Sequence, residues 1–411
     1  MKFTKYTLDN GLRLIVHQDK STPIVAFNVL YDVGARDEDE KLTGFAHLFE
    51  HLMFGGSKNI AEFDKPLQAV GGQNNAFTSN DITNYYITLP KQNIDTAFWL
   101  ESDRMLDLAF TPKSLEVQRN VVIEEFKQRY LNQPYGDLWL LLRPLAYKEH
   151  PYKWATIGKE IKHIEDAKME DVKAFFKAHY NPNNAVLCIA GDVDPEEMLE
   201  KTNYWFGGIK NQGDYTRNLP KEPKQTEARF LEVERDVPQS AIYKAWHMCD
   251  RMHPDYYAFD LATDVLSRGN SSRLYQTLVK EKELFTDISA YQMGSSDEGL
   301  FVISGKVKNG VDINVANLAI LDCIKEVQKY PVSNQELTKV KNKVESTNAF
   351  THMNVLNKAM KLAYFELLGD ANWANEEAEK YNQVSIDDIQ RVMKETIVPS
   401  NCSTLYYKAK N

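Results

Sequence analysis

This chain of 411 residues has few cysteines and no excess of positive charge. The four cysteines lie far apart and form no Cys-x-x-Cys pair, which argues against a disulfide framework and against a cysteine zinc site. Lysine and arginine total 49 against 58 aspartate and glutamate residues, so the formal net charge is −9. Because a general nucleic-acid-binding protein needs a basic face, this balance predicts no nucleic-acid partner.

Long apolar runs are also missing from the sequence. No run approaches the ~18 residues that a membrane-spanning helix needs, so we expect no membrane span. The N-terminal residues contain neither an apolar signal core nor a small-residue cleavage site. We therefore expect a cytoplasmic protein, with a periplasmic location as the alternative if a leader has been removed.

The length and the distribution of glycine and proline predict two domains. At ~150 residues per domain, the length allows two or three. Residues 207–224 are polar, contain three glycines and two prolines and follow no helical or strand period, which indicates a linker. We place the linker at residues 209–228, between a first domain at 1–208 and a second at 229–411.

The two halves of the sequence are similar to each other. A shift of 217 aligns Pro182 with Pro399, and a shift of 214 aligns Phe45 with Phe259, each within a longer matching segment. Both segments occur in the same order, which predicts an internal duplication. Strand and helix patterns alternate in each half. We therefore expect an α+β fold of two duplicated sheet-plus-helix domains.

Residues 44–56, Gly-Phe-Ala-His-Leu-Phe-Glu-His-Leu-Met-Phe-Gly-Gly, are the most informative segment. On a helix, its apolar residues cluster on one face, and His47, Glu50 and His51 cluster on the opposite face. Two histidines four residues apart can bind one metal ion, and catalytic zinc commonly takes three protein ligands. His-x-x-Glu-His is the inverted zinc-peptidase signature. The alternative is an ordinary polar helix face.

A third ligand is expected from the helix predicted at about residues 114–130, which offers Glu116, Glu124 and Glu125. Glu124 points away from the apolar face of this helix and should be solvated. Glu125 lies on the flank of that face, where a half-buried ligand can sit. We choose Glu125, and the alternative is that the whole run is a solvated charged face.

These segments resemble the pitrilysin–insulysin family of inverted-motif zinc peptidases. More closely, the chain is similar to the branch of subunits of ~400 residues that includes mitochondrial processing peptidase and its bacterial relatives. The similarity extends from Thr7 to the C-terminus. It is most specific in residues 47–51, 72–78 and 118–125, and weaker in residues 271–275.

The resemblance implies a mitochondrial-processing-peptidase-like metallohydrolase fold with one zinc ion per chain. It assigns zinc binding to His47, His51 and Glu125 and makes Glu50 the general base. Many members of the family have a second glutamate where this chain has Gln118. We expect this neutral amide to alter the metal site.

The resemblance also implies a peptide-binding edge strand beside the metal. A peptide can pair with such a strand through its main chain, so sequence selectivity should be modest. From the residues alone, a turn followed by a strand is an equally good reading. The four residues assigned to substrate binding are Asn75, Ala76, Phe77 and Thr78.

The function expected from these observations is that of a zinc endopeptidase that hydrolyses peptides or unfolded segments inside a clamshell chamber. The alternative is a non-catalytic core or assembly subunit on the same fold. Under the shift of 214, the motif positions in the second half are Leu261, Asp264 and Val265. Because the two apolar residues cannot bind zinc, we expect no metal in the second domain.

The resemblance further implies a partner subunit. In the family, a second duplicated unit typically supplies an arginine and a tyrosine, seven residues apart, to hold the substrate near the metal. The matching positions here are Val279 and Thr286, and neither can replace those groups. We therefore expect a heterodimer with a homologous non-catalytic subunit that has the Arg/Tyr pair, rather than a homodimer. The alternative is a misalignment, with Arg273 and Tyr275 in these roles.

Overall fold

Two mixed sheets with helices packed on them form the part of the chain that the computed structural model describes, residues 1–212 and 215–410. Residues 213 and 214, in the predicted linker, and residue 411, at the end of the predicted second domain, lie outside the described residues. The predicted α+β class is confirmed. None of the described helices combines the length and the apolar character needed to cross a membrane.

The secondary structure alternates between strands and helices along the chain. The strands are β1 (Thr4–Thr7), β2 (Arg13–Gln18), β3 (Ile24–Tyr31), β4 (Gln73–Thr78), β5 (Thr83–Pro90), β6 (Ala185–Gly191), β7 (Arg229–Arg235), β8 (Ala241–His247), β9 (Phe285–Met293), β10 (Leu300–Val307) and β11 (Cys402–Ala409). The helices that precede β7 are α1 (Phe45–Leu52), α2 (Asp64–Ala69), α3 (Ile94–Leu106), α4 (Pro112–Phe126), α5 (Leu138–Ala146), α6 (Ile161–Glu165), α7 (Met169–His179) and α8 (Pro195–Phe206). The later helices are α9 (Tyr256–Ser267), α10 (Ile313–Lys329), α11 (Asn334–Thr351), α12 (Val355–Leu368), α13 (Trp373–Gln383) and α14 (Ile386–Thr396).

The first sheet has six strands in the order β1-β2-β6-β3-β5-β4. The β2–β6 pair is parallel, and the other neighbours are antiparallel. Every residue of β6 is buried, which explains why its sequence, Ala-Val-Leu-Cys-Ile-Ala-Gly, is apolar without alternation. At the other end of the sheet, β4 pairs with β5 and forms an edge.

The second sheet repeats this arrangement, with the order β7-β11-β8-β10-β9. Its β7–β11 pair is parallel, like β2–β6. When β2 to β6 are matched with β7 to β11, the two sheets have the same strand order. This shared topology supports the duplication that the sequence repeat predicts.

The two compact units differ from the predicted domains in two segments. Residues 128–153, which include α5, group with the second unit, and residues 349–376, which include α12, group with the first. The unit boundary between Leu219 and Pro220 falls inside the predicted linker. The described residues of that linker form neither helix nor strand.

Helix α12 covers one face of the first sheet, over β3 and β6. Its buried residues, Ala359 and Leu362 among them, pack in one apolar cluster with Leu30 of β3 and Cys188 of β6. Leu362 is fully buried. The first sheet therefore depends on residues far along the chain for part of its core.

Leu362→Ala should lower the free energy of unfolding by about 2–5 kcal/mol, because it leaves a cavity between α12 and the sheet. The matched control is Leu318→Ala in α10, where the leucine is 58% exposed and the change should cost less than about 0.5 kcal/mol. Urea unfolding measures both variants. Equal stability of the two would contradict the packing described for α12.

Candidate metal centre

Helix α1 begins where the backbone requires a glycine. Gly44, which precedes the helix, has a φ of +89°, and a Cβ there would lie 2.7 Å from the carbonyl oxygen of Ile157. Only glycine fits both the left-handed backbone and the close contact. The apolar face of α1 is buried against the core, so its polar face is turned away from the core.

A buried carboxylate holds the first turn of α1. Glu38 accepts hydrogen bonds from the backbone N–H groups of Gly44 and Ala46, both at 2.9 Å. Burial raises the pKa of Glu38 to about 8, and the two N–H donors oppose that rise. The sequence analysis missed Glu38 because it lies in a charged run, Asp-Glu-Asp-Glu-Lys, that has the composition of an exposed loop.

Three side chains that could bind a metal ion converge on the polar side of α1. The Nε2 atoms of His47 and His51 lie 3.6 and 3.4 Å from Oε2 of Glu125. One potential ligand atom from each of the three residues lies within 4.8 Å of the other two. Their side chains are 13 to 22% exposed, so a small ion could reach them. The structure thus brings together the three residues that the sequence analysis selected.

The donor set fits zinc. Zn–N and Zn–O bonds are about 2.1 Å long, so tetrahedral ligand atoms stand about 3.4 Å apart. The separations of the two imidazole nitrogens from the Glu125 oxygen are close to that value. Two imidazoles and one carboxylate are also a known ligand set of catalytic zinc.

Glu50 projects from the same helix, between the two histidines in sequence. Its Oε2 accepts a hydrogen bond of 2.7 Å from the hydroxyl of Thr78, which lies on β4. This contact joins the polar face of α1 to the edge of the first sheet. A carboxylate in this position can accept a proton beside a metal held by the neighbouring histidines.

Helix α4 supplies Glu125 and is itself well capped. The Thr111 hydroxyl accepts a hydrogen bond of 3.0 Å from the N–H of Ser114, and Pro112 occupies the first helical position. The helix therefore starts two residues before the predicted boundary. Glu124 is exposed and pairs with Lys127 at 2.8 Å, which agrees with its expected solvation.

A buried arginine packs among aromatic rings that include Phe54, two residues after α1, and the sequence analysis did not identify it. Arg104 is 1% exposed and forms a bidentate pair with Glu101 at 2.7 and 2.6 Å. Its guanidinium lies over the rings of Phe63 and Tyr85 at 4.5 and 4.4 Å. The guanidinium charge is thus paired and covered by aromatic rings, whereas its Nη1 atom has no hydrogen-bond partner among the described residues.

The strand β4 contains the four residues assigned to substrate binding. Because it pairs with β5 at the edge of the sheet, its other side has no strand partner among the described residues. In its register, Ala76, Phe77 and Thr78 lie opposite Tyr85, Asn84 and Thr83. An edge strand of this kind, next to Glu50, can accept one further strand.

The second unit differs at the positions that match the motif. Leu261 and Val265 are buried in the core, and Asp264 pairs with Arg268 at 3.1 Å. Within residues 1–212 and 215–410, no other three His, Cys, Asp or Glu side chains converge in the same way. The structure therefore offers one candidate metal site in the described chain.

Two family models match successive parts of the chain. The model described as "Insulinase (Peptidase family M16)" matches residues 13–154, which include the candidate metal site. The model described as "Peptidase M16 inactive domain" matches residues 166–344. The second match begins inside the first half of the duplication and extends through β10 into α11.

Individual relatives align with most of the chain. The zinc protease PqqE of Helicobacter pylori is 29% identical over 99% of this chain and 93% of that protein. A probable mitochondrial-processing peptidase subunit beta of Arabidopsis thaliana is 25% identical over 83% of this chain and 66% of that protein. A crystal structure of a protease from Helicobacter pylori matches with a TM-score of 0.93 and 29% identity, over 99% of each chain. The chain has one inverted motif, its two sheets share one topology, and both family models that match it describe this family. The chain therefore belongs to the pitrilysin–insulysin family of peptidases.

Proposed function

We propose that this chain is a zinc-dependent endopeptidase that hydrolyses peptides or unfolded segments. The observation that carries the proposal is the convergence of His47, His51 and Glu125, with Glu50 on the same helix face. Relatives named as zinc proteases support the choice of metal and of reaction class. One zinc ion per chain is proposed, held by the two histidines and Glu125.

When bound, zinc supplies a Lewis acid that polarises a carbonyl group and makes water more acidic. The protein's own contribution is the general base. Glu50 takes the proton of the attacking water, and the Thr78 hydroxyl keeps its carboxylate oriented through the bond of 2.7 Å. Gln118 lies near the end of α1. If Gly55, three residues after that helix, had a β-carbon, this atom would lie 3.9 Å from the amide nitrogen of Gln118. Because this amide is uncharged, we expect weaker zinc binding than a carboxylate in its place would give.

Peptide binding is assigned to the edge of the first sheet. Residues Asn75–Thr78 of β4 can pair with an extended peptide through main-chain hydrogen bonds. Thr78 links this strand to Glu50, so a peptide on β4 lies beside the proposed base. Main-chain pairing would bind unfolded segments with modest sequence selectivity.

A non-catalytic core subunit is the second candidate function. The family model described as an inactive domain matches residues 166–344, which begin inside the first predicted domain, and is compatible with either role. The intact set of three ligands and a base favours the enzyme, because an assembly subunit needs none of the four. Stoichiometric zinc would separate the two functions.

The working enzyme is proposed to be a heterodimer with a homologous subunit that supplies an arginine and a tyrosine. In this chain Val279 and Thr286 occupy those positions. The alternative pair has little support, because Arg273 donates to both carboxylate oxygens of Glu336 at 2.7 and 2.9 Å. This pairing lowers the pKa of Glu336 to about 2 and commits Arg273 to a structural role.

Glu50→Gln should abolish hydrolysis and keep the zinc. The amide cannot accept the proton, so the rate should fall by about 10²–10⁴, whereas the three ligands remain. Cleavage of a quenched fluorescent peptide and metal analysis after dialysis measure the two effects. The matched control is Glu124→Gln, at an exposed glutamate that faces Lys127. Hydrolysis by Glu50→Gln at the wild-type rate would refute the assignment of the base.

Glu125→Gln should weaken zinc retention, because an amide oxygen is a poorer zinc ligand than a carboxylate. The wild type should retain about one zinc per chain under the same dialysis, as should Glu124→Gln, since one ligand set is found in the described chain. Full zinc occupancy in Glu125→Gln would exclude Glu125 as a ligand. A second zinc bound within residues 229–411 would contradict the single-site assignment.

The purified chain alone should bind zinc but cleave peptides slowly. Adding a homologous subunit that has the Arg/Tyr pair and lacks the His-x-x-Glu-His motif should raise the rate, because it completes oxyanion stabilisation. A variant of that subunit with both residues changed to alanine is the control. High activity of the isolated chain at concentrations where it is monomeric would refute the heterodimer.

A further inference from the structure

An apolar groove lies on the face of the first sheet opposite α1. It has a volume of about 340 Å³, within the range of ~300–1,000 Å³ typical of ligand pockets. Its floor comes from the sheet and includes Leu30, Phe77 and Asn84, and one wall comes from Met360 and Tyr364 of α12. Phe77 is 41% exposed, which is unusual for a large aromatic side chain.

The floor of the groove is one straight row of residues across three strands. Leu30 of β3 lies opposite Asn84 of β5, and Asn84 lies opposite Phe77 of β4. The amide nitrogen of Asn84 donates to Asn28 at 2.8 Å, so its polar end has a partner within the sheet. The row therefore ends at the sheet edge with the exposed ring of Phe77.

The neighbouring residues of β4 point to the other face. Thr78 donates to Glu50, and Ala76 lies opposite Tyr85, whose ring packs beneath Arg104. Successive side chains on a strand alternate between faces, so Phe77 must project away from α1. The two faces of β4 thus present different chemistry, polar beside Glu50 and apolar in the groove.

A peptide paired with β4 would extend these rows by one strand. Residues directly opposite each other on neighbouring strands share a face and stand about 4.5–5.5 Å apart. The peptide residue opposite Phe77 would therefore point into the groove, and the residues on either side of it would point towards Glu50. The register of the sheet fixes this assignment for either direction of the peptide.

We propose that this groove is a specificity site for one large apolar side chain, aromatic or aliphatic, of a peptide paired with β4. The proposal rests on the proposed function because it uses the same peptide-binding strand. It adds a side-chain preference to recognition that main-chain pairing alone would leave modest. The groove continues the peptide-binding edge, and this continuity identifies its occupant.

Binding of labelled peptides to the zinc-loaded full chain with Glu50→Gln tests the groove without hydrolysis. Three extended peptides differ only in a central Phe, Ser or Lys, and fluorescence anisotropy measures their affinities. The Phe peptide should bind about tenfold more tightly than the Ser peptide, because its side chain leaves water. Adding Met360→Glu should remove this preference and make the Lys peptide bind more tightly than the Phe peptide.

Met353→Glu is the matched control, since Met353 is 77% exposed and does not line the groove. It should keep the preference for Phe. If Met360→Glu fails to fold, Phe77→Ala replaces it and should reduce the preference for Phe by at least threefold while leaving the backbone of β4 in place. If Met353→Glu also makes the Lys peptide bind more tightly than the Phe peptide, this result would count against the groove.

Hydrolysis of the same peptides by the chain with Glu50 intact, in the presence of the partner subunit, separates the two proposals. Cleavage with no preference for Phe, together with equal binding of the three peptides, would overturn the groove and leave the peptidase function standing. A preference for Phe that Met360→Glu removes, without cleavage by any assembly, would support the groove and overturn the peptidase function.

Discussion

The placement of α1 is the constraint on which the candidate site depends. Two imidazoles from this helix and one carboxylate from α4 must meet within a fraction of an ångström to bind one ion. Glu38 holds the first turn, the ring of Tyr180 stacks on Phe49 of the buried face, and the bond from Thr78 to Glu50 fixes the polar face. These three contacts fix the position of the helix before any metal binds. They therefore lower the entropy cost of ordering the ligands when the metal binds.

The sequence predicted those parts of the site that follow from local geometry. His47 and His51 share a face because the helical period brings residues four apart together. The sequence favours Glu125 over Glu124 because a residue on the flank of a buried face is half-buried, whereas one opposite that face is solvated. The duplication could be predicted for a similar reason, because two segments of one sequence can be compared without knowing their contacts in the fold.

Features that depend on distant packing could not be predicted in this way. Glu38 and Arg104 are of residue types that usually lie at the surface, and their burial follows from partners supplied by the folded chain. The groove needs both Phe77 and Met360, which are far apart in the sequence. The predicted linker marks a change of composition, but it does not reveal that α12 completes the core of the first sheet.

The use of α12 by the first sheet has a consequence for folding during synthesis. The strands β1 to β6 leave the ribosome long before residues 355–368, so the face over β3 and β6 stays uncovered until most of the chain has been made. A nascent chain at that stage exposes apolar residues that include Ile15 and Leu30. Such surfaces bind chaperones or aggregate. The rate of translation through α10 and α11 therefore sets how long this sheet face stays exposed in the cell.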